Sequence, residues 1–197
     1  MLWASCAVCI GIKISLRAGI RAGRGCTVRR WRVKLPAFMD KPDKPLVQMY
    51  TDGACSPNPG VGGWGAILVS PDHPGQQREI SGAEPVTTNN RMELTAAVRG
   101  LDTLKRTCRV QLTTDSQYVQ KAFTEGWLVC WQRNGWKTAS KKAVANADLW
   151  RELVRLTQLH EVSWHWVKGH NEHPLNSRCD DLAVAARLQL AAEMGKR

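Results

Sequence analysis

Three strand-like segments follow one another with only short Gly- and Pro-containing turns between them, and this order constrains the fold more than any other feature. L-V-Q-M-Y-T-D-G, residues 46–53, alternates apolar and polar side chains and runs into a Gly turn. W-G-A-I-L-V-S, residues 64–70, is a second strand bounded by Gly62-Gly63 and Pro71-Asp72, and Gln77 to Ser81 is a third. Strands joined so closely must pair as antiparallel neighbours. The period then changes. Thr87-Thr88-Asn89-Asn90 offers helix N-caps, and Leu94, Ala97, Val98, Leu101 and Leu104 follow at helical spacing. Arg109 to Thr114 is a short strand entering Asp115-Ser116, where a second helix starts. Gly126 to Trp136 mixes tryptophans with basic residues, and Asp148 to Leu159 is an amphipathic helix with an Asp cap. Val162 to Val167 is the last strand, followed by a loop through Pro174 and a helix from about Asn176. The order βββαβαααβα predicts an α/β domain: a mixed sheet covered by helices.

A chain of 197 residues accommodates one such domain and a tail. No apolar run is long enough to span a bilayer, so the expectation is a soluble, cytoplasmic protein without a membrane partner. A monomer is the default, since no sustained heptad is present. The net charge of +11 invites a polyanionic partner. Its distribution weakens that inference, because residues 1–39 carry eight basic residues and no acid, leaving +3 for the rest. Residues 1–44 therefore read as a basic extension, disordered or outside the native protein, and residues 45–197 as the catalytic domain. A transit peptide or a nucleic-acid arm are the alternatives for the extension; an over-long reading frame upstream of Met39 is preferred. The seven cysteines are odd in number and lack zinc-ligand spacing, which favours free thiols in a reducing compartment.

Four acids carry the chemistry. Asp52 ends a strand of apolar residues, Glu93 borders the apolar stripe of the first helix, and Asp115 follows the fourth strand. Asp180 lies in C-D-D-L-A-V-A-A, where one of Asp180 and Asp181 must sit nearer the buried face. Singly, each has a plainer reading as a turn residue, a surface helix residue or a cap. Jointly, two acids after strands and two on helices that pack against those strands would converge, and converged carboxylates repel unless cations join them. Oxygen ligands of this kind suit Mg²⁺ or Mn²⁺, and a pair of such ions can clamp both oxygens of a phosphodiester displacement.

The motifs Y-T-D-G-A-C-S-P-N-P-G-V-G-G-W-G-A, T-T-N-N-R-M-E-L, T-T-D-S-Q-Y-V, G-W-K-T-A-S-K-K, N-A-D-L-W, W-V-K-G-H and N-S-R-C-D-D-L-A occur in that order between about Val47 and Ala191. In them the chain resembles bacterial-type ribonuclease H, type 1. The resemblance implies a five-stranded mixed sheet with flanking helices. It implies an endonuclease that hydrolyses the RNA strand of RNA/DNA hybrids with two Mg²⁺ ions, Mn²⁺ being a substitute, and leaves 5′-phosphate and 3′-hydroxyl ends. It places Asp52, Glu93, Asp115 and Asp180 as metal ligands, and His170 on a loop where it assists proton transfer or product departure. His160, His165 and His173 have no such match and read as structural or exposed.

The partner so implied is an RNA/DNA hybrid duplex. Cys55, Asn58, Asn89, Asn90 and Gln117 match positions that contact its minor groove and 2′-hydroxyls, the group that distinguishes RNA from DNA. Trp127, Trp131, Arg133, Trp136, Lys137, Lys141 and Lys142 interleave aromatic and basic residues as in the family's basic protrusion, which grips the DNA strand. Trp127 and Trp131, at i and i+4, are expected to pack inward while Trp136 and the lysines face the ligand. Glu125-Gly126 adds a residue here, and Ala143 and Ala145 stand for Pro and Lys of the commonest bacterial pattern, which implies somewhat weaker hybrid affinity. Ser177 replaces a Glu found in many bacterial members. Proofreading exonucleases of the same superfold carry D-x-E on their first strand, whereas Asp52 precedes Gly53-Ala54. A non-catalytic hybrid-binding module would have lost one of the four acids, and all are present.

Overall fold

The sheet is organised around β1 (Leu46–Cys55), whose residues 49–53 are buried on both faces. That double burial explains why its apolar alternation is imperfect: a central strand has no solvent face to mark. The computed structural model describes residues 44–73, 75–168 and 173–196. Most of the extension expected over 1–44, and with it the boundary of that tail, lies outside the described residues.

β2 (Gly60–Val69) pairs antiparallel with β1, and β3 (Gln77–Thr87) pairs antiparallel with β2. β4 (Arg109–Thr114) and β5 (Glu161–Trp166) add in parallel on the other side, giving the order β3-β2-β1-β4-β5. The helices are α1 (Asn89–Asp102), α2 (Gln117–Thr124), α3 (Trp127–Arg133), α4 (Ala147–Leu159) and α5 (Pro174–Met194). The five-stranded mixed sheet and the element order expected from the sequence are both present. Among the described residues, no helix is long and apolar enough to cross a membrane.

Four boundaries differ from those expected on sequence, each for a physical reason. β2 begins at Gly60, so Gly62 and Gly63 lie inside the strand rather than bounding it. Side chains there would collide with neighbours: a Cβ on Gly63 would stand 2.1 Å from the Ala183 oxygen of α5, and one on Gly62 2.4 Å from Thr87 Cγ2. β3 lengthens with its partner to Thr87 and tolerates Pro85 because it is an edge strand. α4 is capped by Asn146 in the left-handed region rather than by Asp148. Asp148 instead sits in the first turn and is bridged by both Arg91 guanidinium nitrogens, tying α4 to α1. α5 starts earlier than Asn176, with Pro174 in its first turn, where a missing N–H costs nothing.

The core lies on both faces. Met49, Val110 and Leu112 of the sheet pack against Leu94, Ala97 and Leu101 of α1 and against Trp150, Leu153 and Leu156 of α4. Trp150 is fully buried and its indole N–H finds the Tyr118 hydroxyl at 3.0 Å, so its one polar atom is satisfied. On the other face Tyr50 and Ile67 meet Cys179, with Leu175 and Leu182 beside them. α5 lies directly on backbone here, since a Cβ on Gly65 would reach within 2.5 Å of the Cys179 oxygen. Gly63→Ala is expected to lower unfolding stability by about 1–3 kcal/mol, the usual cost of overpacking a rigid contact. Urea denaturation measures it, and an unchanged midpoint would contradict the close seat of α5.

Candidate active site

Asp52 lies near the C-terminal end of β1 and is only 6% exposed. The Asp-Gly pair is not a turn: Gly53 continues the strand, and its backbone N–H donates to Asp52 Oδ1 at 2.7 Å. Gly53 is required by proximity, because a Cβ on it would stand 2.3 Å from Glu93 N and 2.5 Å from the Met92 carbonyl carbon. α1 can therefore press its first turns against the end of β1. That contact brings Glu93 to Asp52.

Glu93 is held at both oxygens. Oε1 accepts from Asn89 Nδ2 at 3.0 Å, one helical turn earlier, and Oε2 accepts from the hydroxyl of Ser116. Ser116 also caps α2, accepting from Val119 N. Asp115 directly precedes Ser116 at the end of β4, and its backbone carbonyl accepts from Trp166 Nε1 at the end of β5, at 2.9 Å. Asp180 comes from α5 and is half-buried, whereas Asp181 is exposed, which resolves the choice between them.

All four acids line one cleft, together with Cys55, Asn89 and Arg187. Its volume of 290 Å³ corresponds to room for on the order of ten waters. Two larger hollows, of 400 and 340 Å³, lie elsewhere: one beside Val47, Leu68 and Thr103, the other between Gly82 and Leu190. Neither gathers acids, so charge rather than size locates the chemistry. Burial, then the Asp115, Asp180 and Glu93 carboxylates, push Asp52 up to about 8 against the pull of the Gly53 N–H. Burial and Asp115 raise Glu93 to about 7, opposed by Ser116 and Asn89.

This donor set fits small, hard divalent cations: carboxylate oxygens only, crowded enough to resist ionising without a positive charge among them. Among the described residues, no three His, Cys, Asp or Glu side chains close on one point. An open arrangement of this kind suits Mg²⁺, which keeps several waters and shares its shell between a few carboxylates and substrate phosphate oxygens.

Of the residues expected to read a hybrid, Cys55 and Asn89 line the cleft. The Cys55 N–H donates to Asn89 Oδ1 at 3.1 Å, and Asn58 Oδ1 accepts from the Asn89 N–H at 3.2 Å. Asn90 and Gln117 are exposed on the first turns of α1 and α2. The cap of α1 is Thr88, so neither Asn89 nor Asn90 is spent on that role. In the basic segment, Trp127 and Trp131 pack inward as expected, Trp131 lying 5.5 Å from Trp150. Arg133, Lys137, Lys141 and Lys142 are exposed. Trp136 differs from expectation: it is half-buried against the main core, with the Arg151 guanidinium 5.2 Å from its ring centroid. His170 lies outside the described residues. His160 is buried and accepts from Cys108 N, and His173 caps α5 by accepting from Leu175 N, so both are structural.

On sequence Ser116 has only a helix-starting role, and Trp166 and Arg187 have no role in the site. Arg187 carried a usable signal. It stands seven residues after Asp180, close to two full turns, and so shares its helix face.

A five-stranded mixed sheet with a carboxylate-lined cleft at the strand ends is a ribonuclease H-like domain. The sequence profile of the RNase H family matches residues 44–187. A ribonuclease H of Chlorobaculum parvum is 57% identical over 140 residues, covering 71% of this chain and 94% of that protein. One from Ralstonia nicotianae is 59% identical over 137 residues, covering 70% and 88%. Among solved structures, LC9-RNase H1, described as a type 1 RNase H with the type 2 active-site motif, superposes with a TM-score of 0.64 at 35% identity, covering 73% of this chain and 72% of that one. LC11-RNase H1, solved in complex with RNA/DNA hybrid, shares the fold with a TM-score of 0.58 at 19% identity, covering 74% and 99%. The chain belongs to the RNase H family.

The raised carboxyls make a stability prediction. A carboxyl near 4 in the unfolded chain and near 7 or 8 in the fold favours the protonated folded state. Its contribution is complete below pH about 4 and is lost as pH rises through about 7 for Glu93 and about 8 for Asp52. Chelator-stripped protein should thus lose stability across that window, and millimolar Mg²⁺ should restore it most at the alkaline end. Thermal melts at stepped pH test this; a curve unaffected by Mg²⁺ would count against cation binding by the quartet.

Proposed function

We propose that this ribonuclease H hydrolyses the RNA strand of RNA/DNA hybrids at the cleft formed by Asp52, Glu93, Asp115 and Asp180. The observation that carries the reading is the gathering of four carboxylates from β1, α1, the end of β4 and α5, two of them pushed well above their ordinary range. Two Mg²⁺ ions held by these carboxylates, or Mn²⁺ in their place, would supply the positive charge that activates water and stabilises the departing 3′ oxygen, giving 5′-phosphate and 3′-hydroxyl ends.

The chain's own groups perform the remaining tasks. Asn89 and Ser116 fix both oxygens of Glu93, so this carboxylate meets substrate without first losing rotamer freedom. Asp52 is oriented by the Gly53 N–H on a rigid central strand. Cys55, Asn58, Asn89, Asn90 and Gln117 form a rim of backbone and amide groups able to donate to and accept from 2′-hydroxyls. Arg133, Lys137, Lys141 and Lys142 neutralise phosphates of the DNA strand, and the tilted ring contacts of Trp127, Trp131 and Trp150 anchor the segment that carries them. His170 takes the role of moving a proton or releasing product. Residues 1–44 are no part of this machinery, which residues 45–197 supply. The protein acts as a monomer in the cytoplasm.

The direct test uses labelled RNA/DNA hybrid, duplex DNA and duplex RNA in Mg²⁺. Cleavage should be confined to the RNA of the hybrid; cutting of duplex DNA, or an inert hybrid, would defeat the reading. Asp52→Asn should remove turnover by several orders of magnitude while leaving hybrid binding in place. The Michaelis constant should rise steeply with salt, and replacing Lys137, Lys141 and Lys142 by Gln should flatten that dependence. A Michaelis constant indifferent to salt would exclude the phosphate-binding role of this segment.

A further inference from the structure

Among the described residues, Arg187 is the one basic side chain that lines the carboxylate cleft. Four acids share that lining, yet among the described residues Arg187 forms no ion pair with any of them. Its hydrogen bond among the described residues runs from Nη1 to the Ser56 carbonyl oxygen at 3.3 Å. Other arginines of this domain are engaged by acids: Arg91 by Asp148 and Glu84, Arg155 by Glu152, Arg178 by Glu79. A guanidinium has five N–H donors in a planar fork. One is used in the bond to Ser56, and the half-buried side chain lines the cleft.

The aim of this side chain is set by the scaffold. A Cβ added to Gly63 would stand 2.8 Å from Arg187 N and 2.1 Å from the Ala183 oxygen, so α5 is seated on the backbone of β2 at this point. The bond to Ser56 then holds the head group against the β1–β2 turn, next to Cys55. A fork of donors tethered at one nitrogen, beside a cluster of acids with which it forms no ion pair among the described residues, is matched to an anion brought by the substrate.

We propose that Arg187 binds a backbone phosphate of the nucleic acid in the cleft, on the Ser56 side of the four acids and apart from the Trp127 to Lys142 segment. The proposal rests on the reading that the cleft takes RNA/DNA hybrid. Arg187 would then set the register of the strand relative to the carboxylates, since a phosphate contact fixes position without reading sequence.

Hybrid binding separates this role from a structural one. The Asp52→Asn protein, alone and combined with Arg187→Gln or Arg187→Lys, is titrated with labelled hybrid over a salt series in Mg²⁺, and each variant's melting temperature is measured. Arg187→Gln should weaken binding on the order of fivefold at moderate salt, and should reduce the slope of log K against log salt by about one. Arg187→Lys keeps the charge and should restore the slope while recovering only part of the affinity. An unchanged slope in Arg187→Gln, whether or not affinity falls, would overturn the proposal and leave Arg187 as a brace for the Ser56 turn. Failure of Arg187→Lys to recover the slope relative to Arg187→Gln would do the same. If Asp52→Asn alone bound no hybrid at any salt, the hybrid reading itself would fall, and this proposal with it.

Discussion

Backbone lying directly against backbone is the constraint on which this site depends. Gly53 admits the start of α1 to the end of β1, and Gly63 and Gly65 admit α5 to β2. Helices on a sheet ordinarily stand off by the height of the intervening side chains. Removing that layer at three positions lets carboxylates on opposite sides of the sheet reach one cleft. Asp52 belongs to the strand between them, and Asp115 follows Thr114, the parallel partner of Thr51, at the end of the neighbouring strand. Each glycine sacrifices packing and chain entropy locally. What the fold gains is a set of acids whose spacing is controlled by rigid main chain rather than by side-chain rotamers.

The cost of that convergence is electrostatic. Desolvation and mutual repulsion act in the same direction on Asp52, and only the Gly53 N–H opposes them. Glu93 is better supplied, with a hydroxyl and an amide donating to its two oxygens. The two carboxyls thus differ in character: one is held back from ionising by its setting, the other is partly compensated. A cation entering the cleft relieves both, so cation affinity and the instability of the cation-free site have a single origin.

Much of this was legible in the sequence. The order of strands and helices follows from periodicity, because apolar spacing switches from two to near 3.6 at Thr87-Thr88 and again at Asp115-Ser116. Asp52, Glu93, Asp115 and Asp180 could be named because their motifs stand in order, although none was persuasive alone. Less legible were features created by tertiary contact. Asp52-Gly53 has the composition of a turn and is a buried strand, because the helix packed on it leaves no room for a Cβ. Gly62-Gly63 resembles a strand boundary for the same reason. Asp148 has the look of a cap, but a distant arginine claims its carboxylate. Trp136 was read as outward-facing, and the Arg151 that stacks on it comes from a helix fifteen residues later. Local patterns report local preference; these four positions are decided by partners far along the chain.

Asn89 shows how sharply the negative field is bounded. Its side-chain oxygen is occupied by the Cys55 N–H and its side-chain nitrogen by Glu93. The amide is pinned at both ends and cannot be turned over, since exchanging its two atoms would set donor against donor and acceptor against acceptor. An aspartate has the same shape, but it would present an anion to Glu93 where there is now a donor. The cleft's crowd of carboxylates therefore ends at this residue, and the rim facing a 2′-hydroxyl begins there with a neutral group whose polarity is already fixed.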